Sequence, residues 1–281
     1  MFKILTREML TPTICKMVVE APRIAKSAKP GQFLIVRPNE KGERIPLTIS
    51  DYDREKGTVT IVTQLIGASS AAIIATGEGE YFNDVVGPLG NQSAFVDKSA
   101  EELKDARYIF IAGGVGTAPV YPQAKWLHDR GIAVDVIIGA KTKDLLIYTD
   151  ELASACDNLY LCTDDGSAGF KGLVTALLEK LVTEDGKKYT QAVSIGPMIM
   201  MKFCTLTCKK LGIPEDVSLN MLMVDGTGMC GACRVTVGGK VKFACVDGPE
   251  FDGYEVDFDE AMRRLGQYKA EEAEERAKYV K

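Results

Sequence analysis

The stretch that decides the fold runs from residue 108 to residue 119 and reads Tyr-Ile-Phe-Ile-Ala-Gly-Gly-Val-Gly-Thr-Ala-Pro. Its apolar first part, up to Ala112, predicts a buried strand. The glycines that follow predict a tight turn before a helix, in whose first turn Pro119 is well suited. Such a turn lets the backbone approach a pyrophosphate, which the N–H groups and positive dipole end of the helix attract. The turn departs from the G-x-G-x-x-G pattern, so a tight turn without function also stays open.

From residue 106 onward, apolar strands alternate with amphipathic helices. Strands are predicted at 108–112, 133–139, 159–163 and 192–195, and helices at 119–130, 144–155, 172–181 and 198–211. Near-continuous apolar strands between helices indicate a parallel sheet covered on both faces. Residues 104–216 are therefore expected to form a doubly wound α/β domain.

The first hundred residues follow a different rhythm of short strands separated by proline and glycine. Strands are predicted at 2–5, 14–20, 32–37, 44–50, 58–64 and 81–86, with one helix at 69–76. This spacing suggests a small antiparallel barrel over residues 1–98. The expected fold class is thus a β-barrel plus an α/β domain.

Composition excludes several classes of function. The 281 residues are 26% charged and 46% hydrophobic, and the net charge of −5 gives no electrostatic reason to bind nucleic acid. No apolar run is long enough for a membrane helix, and Lys3 and Arg7 interrupt what would be the apolar stretch of a signal peptide. We therefore expect no membrane association and a cytoplasmic location. The single histidine, His128, nearly excludes catalytic triads and multi-histidine metal sites.

A cysteine-rich segment carries the sharpest chemical signal. It reads Asp225-Gly-Thr-Gly-Met-Cys230-Gly-Ala-Cys233, and Cys245 follows after eleven intervening residues. With Asp225 in the place of the first cysteine, the segment fits the C-x4-C-x2-C…C spacing of plant-type [2Fe–2S] clusters. A zinc site would lack one nitrogen or sulfur ligand, and a disulfide is disfavoured in a cytoplasmic chain. Purely structural thiols remain the third alternative.

Two C-terminal segments complete the predicted organisation. Residues 217–253, beginning with a strand at 217–223, form a [2Fe–2S]-binding lobe that is too short for an independent core without such a staple. Residues 254–281 form an acidic and then helical tail. The tail fits a solvated helix and, alternatively, a docking arm for a partner chain.

Two further loops follow strands at the same edge of the predicted parallel sheet. One contains Asp164 and Asp165, and the other contains Gly196, Pro197 and Met198. Because ligands of open α/β sheets bind at this edge, these loops and the glycine-rich turn are expected to form one nucleotide crevice. The turn contributes Gly114, Val115, Gly116, Thr117 and Ala118.

The acidic loop bears on whether a dinucleotide in this crevice would carry a ribose 2′-phosphate. A ribose 2′-phosphate requires Arg or Lys, whereas Asp164 and Asp165 repel it or bind a free 2′-hydroxyl. Lys141 and Lys143, after the second strand, are the opposing observation. The crevice is therefore expected to favour a dinucleotide with a free 2′-hydroxyl, as in NAD(H), over one with a 2′-phosphate, as in NADP(H).

The ordered combination of these features resembles the ferredoxin reductase superfamily, over residues 1 to about 253. Within it, the barrel, the Gly-Gly-x-Gly-x-x-Pro turn, the Gly-Pro-x-x-Met loop and the cysteines resemble the branch of dihydroorotate dehydrogenase electron-transfer subunits. The closer similarity is to the small subunits of NADH-dependent reduced ferredoxin:NADP+ oxidoreductase, also called sulfide dehydrogenase. The resemblance implies a Greek-key FAD-binding barrel, an NAD-binding domain and a [2Fe–2S] cluster.

The resemblance also assigns flavin-binding residues. The stretch Arg44-Ile-Pro46-Leu47-Thr48-Ile49 is similar to the family's R-x-P-[FL]-[ST] motif, and Gly67-Ala-Ser69-Ser70 is similar to its second phosphate-binding turn. By this resemblance, Arg44 binds the FAD pyrophosphate and Thr48 faces the isoalloxazine edge. A surface ion pair of Arg44 with Glu43 or Asp51 is the alternative.

Three positions depart from the family pattern. Leu47 replaces an aromatic residue of plant-type ferredoxin reductases, so strong stacking on the flavin is not expected there. Ile195 replaces a cysteine that many relatives place near the nicotinamide. Asp225 replaces the first cluster cysteine of the dihydroorotate dehydrogenase subunits, with Asp247 as the alternative fourth ligand.

The function implied is electron transfer between NAD(H), FAD and the [2Fe–2S] cluster. The chain would be an oxidoreductase subunit that passes electrons to a larger flavin and iron–sulfur partner, in a heterodimer or a multiple of it. By resemblance the complex bifurcates electrons among NADH, NADP+ and ferredoxin. The alternatives are the same role in dihydroorotate dehydrogenase or a hydrogenase, and a non-catalytic metal-binding adaptor.

Overall fold

The structure, a computed structural model, describes residues 1–279 and consists of two seven-stranded sheets, a two-stranded ribbon and the helices around them. The last two residues of the predicted tail, Val280 and Lys281, lie outside the described residues. None of the described helices is long and apolar enough to cross a membrane.

The N-terminal sheet is antiparallel throughout. Its strands are β1 (Phe2–Thr11), β2 (Ile14–Glu20), β3 (Phe33–Arg37), β4 (Ile45–Asp53), β5 (Thr58–Gln64), β6 (Tyr81–Phe82) and β7 (Asp84–Leu89). They pair in the order β6-β1-β2-β5-β4-β3-β7. The two edge strands, β6 and β7, are separated only by Asn83, so the sheet curves into a nearly closed barrel. Its core contains the buried side chains of Met17, Leu34, Ile61 and Phe82.

The barrel confirms the predicted architecture and corrects some of its elements. The helix predicted at 69–76 is α2 (Ala68–Ala75), but a short helix that the sequence analysis missed, α1 (Pro22–Ser27), precedes it. Six residues are too few to show helical periodicity, and only the proline in the first turn signals its start. The predicted strand at 2–5 continues to Thr11 as β1, because its pairing with β2 extends to Thr11↔Ile14.

The second sheet and the ribbon follow along the chain. The strands are β8 (Arg107–Gly113), β9 (Ala133–Ala140), β10 (Asn158–Thr163), β11 (Phe170–Lys171), β12 (Gln191–Ile195), β13 (Glu215–Ser218), β14 (Arg234–Val237), β15 (Lys240–Phe243) and β16 (Glu250–Asp252). The sheet has the order β11-β10-β9-β8-β12-β13-β16 and is parallel except for β16, which runs antiparallel to β13. Strands β14 and β15 form the separate ribbon.

Helices cover both faces of this sheet, and further helices follow it as far as Tyr279. They are α3 (Ala100–Leu103), α4 (Thr117–His128), α5 (Thr149–Ala153), α6 (Val174–Thr183), α7 (Met198–Leu211), α8 (Phe258–Leu265) and α9 (Lys269–Tyr279). The predicted doubly wound arrangement is confirmed. The charged helix α9 packs against α2 of the barrel.

Two predicted elements are wrong in part. The helix predicted at 144–155 is interrupted: a single 3-10 turn covers Lys143–Leu145, and α5 begins only after Tyr148, which adopts a left-handed φ of +60°. The strand predicted at 217–223 ends at Ser218. Beyond it Leu219, Met221 and Met223 are buried while Leu222 is exposed, so the sequence alternates like a strand although the segment is not one.

The centre of the α/β sheet is fully buried. Phe110 on β8 is completely buried among side chains from both neighbouring strands and α4. Phe110→Ala should lower the free energy of unfolding by about 3–5 kcal/mol, because it removes buried apolar surface and leaves a cavity. Leu173→Ala, at a position 64% exposed, is the matched control and should change it by less than about 0.5 kcal/mol. Urea titration followed by circular dichroism measures both, and equal effects would contradict the assignment.

Candidate functional site

The glycine-rich turn and the loop after β12 are in direct contact. Strands β8 and β12 are parallel neighbours, so their carboxyl ends lie side by side. A Cβ on Gly116 would lie 2.4 Å from the Ile195 carbonyl oxygen, and a Cβ on Gly196 would lie 3.2 Å from the Gly113 nitrogen. The absence of side chains therefore lets two of the three predicted coenzyme loops pack together.

Met200 lies at this junction and was missed in the sequence analysis. A Cβ on Gly113 would meet the Met200 Sδ at 2.4 Å, and a Cβ on Gly196 would meet its Cε at 2.6 Å. The signal was present, since the methionine of Gly-Pro-x-x-Met is Met200. Met198, the residue predicted to contact the coenzyme, is instead buried in the core. Only its backbone N–H, in the first turn of α7, is left to bind a ligand.

The start of α4 has the features that a phosphate site requires. Gly114 has a φ of +57°, and no atom lies within 4 Å of the position that its Cβ would occupy. Thr117, in the first turn of α4, is fully buried, and its Oγ1 has no hydrogen-bond partner among the described residues. Of the other predicted residues, Val115 is half-buried and Ala118 is buried in the core. An open backbone beside an unsatisfied hydroxyl fits a bound pyrophosphate.

The loop after β10 brings the predicted acidic residues beside the opposing lysines. Asp165 Oδ1 accepts hydrogen bonds from the backbone and hydroxyl of Ser167, which lower the pKa of Asp165. The Asp165 N–H donates to the Lys141 carbonyl at 3.3 Å, and the Lys143 N–H donates to the Ser167 hydroxyl at 2.7 Å. Asp164 is exposed. Asp165 therefore shapes the loop, and Asp164 is the carboxylate left for a ribose.

The flavin motif lies on β4, the barrel strand against which α4 packs. Asp51 of β4 forms an ion pair with Lys125 of α4 at 3.4 Å. Arg44, just before β4, is half-buried and forms no ion pair with Glu43 or Asp51 in the described part of the chain. Its guanidinium is thus not held by either acidic residue proposed as an alternative partner.

The other motif residues divide between the surface and the core of the barrel. Pro46, Leu47 and Thr48 are half-buried, whereas Ile49 is 1% exposed and belongs to the barrel core. Thr48 pairs with Phe33 of β3. The motif therefore offers Arg44 and Thr48 as its polar groups, with Ile49 fixing the strand.

Ser70 shapes the turn that is predicted to bind a second phosphate. Its hydroxyl accepts the N–H groups of Ile66 at 2.8 Å and Gly67 at 3.0 Å and donates to the Gly67 carbonyl. Gly67 is the N-cap of α2, and the space beside its Cα is open. Ser69 donates to the Glu43 carboxylate. Ser70 thus shapes the turn, and the first N–H groups of α2 are the donors available to phosphate.

The loop from Asp225 to Cys230 is held by its own polar groups. Asp225 Oδ2 accepts the N–H groups of Thr227 at 2.9 Å and Met229 at 3.2 Å, together with the Thr227 hydroxyl, and these bonds lower the pKa of Asp225. Backbone N–H groups of Ala232 and Asp225 lower the pKa of the exposed Cys230 thiol. The loop thus favours the charged forms of both groups.

The β14–β15 ribbon brings the other two cysteines together. Cys233 precedes β14 and Cys245 follows β15, and their Sγ atoms lie 3.2 Å apart in the core. Burial, with the adjacent Cys233, raises the pKa of Cys245 to about 12. Two sulfurs bound tetrahedrally to one metal at about 2.3 Å would lie about 3.7 Å apart. A small outward movement of these thiols would therefore admit a metal ion.

The four predicted ligands thus form two pairs, Cys233 with Cys245 and Asp225 with Cys230. Within residues 1–279, no three His, Cys, Asp or Glu side chains are arranged to hold a single metal ion. A mononuclear zinc site needs four ligands around one point, whereas a [2Fe–2S] cluster distributes four ligands over two irons. The paired arrangement fits the cluster. Asp247, the alternative ligand, accepts the Phe243 N–H at 2.7 Å and closes the turn after β15.

The sequences of known proteins agree with this geometry. Residues 220–257 match the iron-sulfur cluster binding domain of dihydroorotate dehydrogenase B. A homologue of the electron transfer subunit of dihydroorotate dehydrogenase B (NAD(+)) from Thermotoga maritima is 49% identical over 255 residues, covering 90% of this chain and 86% of that protein. The chain belongs to this family of electron-transfer subunits and their homologues.

Further members and structures extend the comparison. An uncharacterised protein of the adh 3′ region of Clostridium beijerinckii is 62% identical over 97% of this chain and 92% of its own. A chain from the NADH-dependent reduced ferredoxin-NADP oxidoreductase structure, which gave insights into flavin-based electron bifurcation, superimposes with a TM-score of 0.89 at 44% identity, covering 99% of this chain and 98% of that one. A ferredoxin NADP+ reductase from Neisseria gonorrhoeae with bound FAD and NADP has a TM-score of 0.58 at 20% identity, covering 75% of this chain and 90% of that one, and shares the fold.

The contact between Gly116 and Ile195 gives a test of the coenzyme crevice. Gly116→Ala should weaken NADH binding about tenfold or more, a loss of about 1.4 kcal/mol, because its Cβ forces the two loops apart. Gly266→Ala is the control, since Gly266 has a φ of −78° and open space around it. Fluorescence titration with NADH measures both dissociation constants. Unchanged binding in Gly116→Ala would place the coenzyme elsewhere.

Proposed function

We propose that this chain is the electron-transfer subunit of an NAD(H)-dependent oxidoreductase and binds FAD and one [2Fe–2S] cluster. The observation that carries the proposal is the contact between the cluster loop and β3, the strand that pairs with β4, which carries the flavin motif. A Cβ on Gly226 would lie 3.0 Å from Ile35 of β3, and Ile35 pairs with Pro46 of the flavin motif. Flavin and cluster sites are thus one strand apart, and β4 packs on the coenzyme helix α4.

The proposed division of labour follows from the residues. When bound, FAD supplies the conversion between the two-electron chemistry of NADH and the one-electron chemistry of an iron–sulfur cluster. Arg44 and the first N–H groups of α2 bind its pyrophosphate, and the turn at Gly114 and Gly116 binds that of NAD(H). Asp164 favours the free ribose hydroxyl of NAD(H) over the phosphate of NADP(H). No side chain is required as nucleophile or general base.

The partner that we propose is a larger flavin and iron–sulfur subunit. Four apolar side chains near the predicted cluster ligands are exposed: Leu222, Val224, Met229 and Val246. Met229 is 86% exposed, next to the exposed Cys230, so electrons have a short route to a protein docked there. An apolar surface next to a redox centre is typical of a protein interface.

The preferred complex is the bifurcating type, which couples NADH, NADP+ and ferredoxin. The whole-chain similarity to the NADH-dependent reduced ferredoxin-NADP oxidoreductase, at 44% identity, supports it over the dihydroorotate dehydrogenase subunit of Fusobacterium nucleatum, at 30% identity. The 49% identical protein of Thermotoga maritima is described as a homologue of such subunits and does not decide between the two. Dihydroorotate dehydrogenase remains the second candidate, because the matching cluster domain carries that description. A cytoplasmic location is proposed because the five cysteines outside the cluster segment form no disulfide within the described residues.

Cofactor analysis tests the proposed function. Anaerobically purified protein should contain one FAD and one [2Fe–2S] cluster and should reduce a dye with NADH in preference to NADPH. Cys233→Ser should lose most of the iron and acid-labile sulfide while retaining FAD, because the flavin and cluster motifs lie in separate segments. Cys204→Ser, at a buried thiol on α7, is the matched control and should retain both. Stoichiometric zinc without sulfide would overturn the cluster assignment.

A second experiment tests the docking surface. Met229→Lys should weaken association with the larger subunit about tenfold or more, because it places a charge at the centre of an apolar interface, while the cluster spectrum stays unchanged. Leu173→Lys is the control and should leave the association unchanged, because Leu173 is exposed beside β11, at the edge of the α/β sheet opposite β16. Native mass spectrometry of the co-expressed subunits measures the complex. A chain that reduces its physiological acceptor alone at full rate would contradict the subunit assignment.

A further inference from the structure

Three polar side chains meet where the barrel, the α/β sheet and the cysteine segment join. Glu250 Oε1 accepts hydrogen bonds from Ser93 Oγ at 3.1 Å and from Gln123 Nε2 at 2.8 Å. Ser93 follows the last barrel strand, Gln123 lies on α4, and Glu250 begins β16. Ser93 and Gln123 are both 0% exposed. One carboxyl thus connects three parts of the chain, through residues to which the coenzyme and cluster assignments give no role.

Hydrogen bonds also hold the segment from Cys245 to Glu250 against the barrel. The Asn91 N–H donates to the Gly248 carbonyl at 2.7 Å, and the Asn91 side-chain amide donates to the two preceding carbonyls. On the other side, the Leu219 N–H donates to the Pro249 carbonyl at 2.9 Å. The segment begins at Cys245, a predicted ligand, and ends at Glu250. The position of Cys245 relative to the barrel therefore depends on this set of bonds.

The surroundings of Glu250 favour its neutral form. Burial raises the pKa of Glu250 to about 7, and the Asp216 carboxylate adds to the rise, whereas the Ser93 and Gln123 hydrogen bonds oppose it. Asp216 is itself flanked by Asp252 and Lys98. Gln123 Oε1 is buried without a partner among the described residues. A protonated Glu250 has a hydroxyl to donate in this pocket, and a carboxylate has none.

We propose that Glu250 is a positioning residue for electron transfer, which fixes the cluster segment against both the flavin barrel and the coenzyme helix. The proposal rests on the proposed function. Glu250 contacts neither cofactor site and acts through Ser93 and Gln123. Electron transfer depends on the separation and relative orientation of donor and acceptor, so a displaced cluster segment changes its rate. Loss of the junction should therefore slow cluster reduction while both cofactors remain bound.

Two substitutions separate positioning from general stability. Glu250→Ala removes both hydrogen bonds and should slow NADH-driven reduction of the cluster roughly tenfold, with hydride transfer to the flavin unchanged. Glu250→Gln keeps an acceptor and supplies a donor, as the neutral acid does, and should retain the rate. Glu260→Gln is the matched control, because the Glu260 carboxylate accepts the Thr236 N–H at 3.0 Å within the C-terminal segment only. Flavin bleaching and freeze-quench EPR of the cluster follow the two steps after rapid mixing of the full-length holoprotein with NADH.

The pH profile and hydrogen exchange give readouts beyond activity. Because burial raises the pKa of Glu250 to about 7, its ionisation as the pH rises through that value leaves a buried carboxylate beside Asp216, which destabilises the junction although Ser93 and Gln123 still donate to it. The cluster-reduction rate of the wild type should fall across this range, and that of Glu250→Gln should stay flat. Amide exchange at Asn91 and Leu219 should be about tenfold faster in Glu250→Ala, because their acceptor carbonyls lie in the released segment.

The outcomes distinguish the two proposals. If the wild type contains no flavin or no cluster, the proposed function fails. If both cofactors are present and Glu250→Ala reduces its cluster at the wild-type rate, positioning by Glu250 fails. If Glu250→Ala does not fold, the Glu250→Gln profile decides, and a fall with pH equal to that of the wild type overturns the role of the neutral acid.

Discussion

The parallel hydrogen-bond ladder that joins β8 to β9 and β12 is the constraint on which the sites depend. It aligns Gly113 with Gly139 on one side and Ala112 with Ile195 on the other, so the strands end at one edge of the sheet. At that edge the loops can approach only where side chains are missing, as at Gly116 and Gly196. The ladder also fixes the direction of α4, which in turn supports the flavin strand through Lys125 and Asp51. A displacement of β8 would thus disturb the proposed coenzyme crevice and β4, the strand that carries the proposed flavin motif, together.

Elements with local signals could be predicted from the sequence. Helix α7 was predicted with its observed bounds, because Pro197 precedes its first turn and Gly212 ends it in a left-handed conformation. The signals of the glycine-rich turn and of the cysteine segment are equally local. The structure places the turn against the loop after β12 and, separately, brings Cys233 next to Cys245. The prediction of one helix at 144–155 was wrong because apolar spacing alone does not reveal the left-handed conformation of Tyr148.

The features that the sequence analysis missed are those that depend on distant partners. Glu250 bonds to Ser93 and Gln123, which are 157 and 127 residues away along the chain, and no spacing rule connects them. The segment from Leu219 to Met223 alternates like a strand because it lies along the core, yet it lacks a continuous partner strand. Pairing of the four predicted ligands into two sets also required the structure, since the β14–β15 ribbon determines that Cys233 meets Cys245.

The antiparallel pairing of β13 with β16 has a consequence for the modularity of the chain. Ser218 lies opposite Glu250, so the chain leaves the sheet and returns to it at neighbouring positions. Paired strands are only about 4.8 Å apart, and the intervening 31 residues, 219–249, form a closed excursion from the edge of the sheet. A segment that leaves and re-enters the sheet at neighbouring positions could be exchanged as a unit for another segment. A cassette with another redox centre could replace it if its own ends matched that short spacing, and the order of the parallel strands would not change.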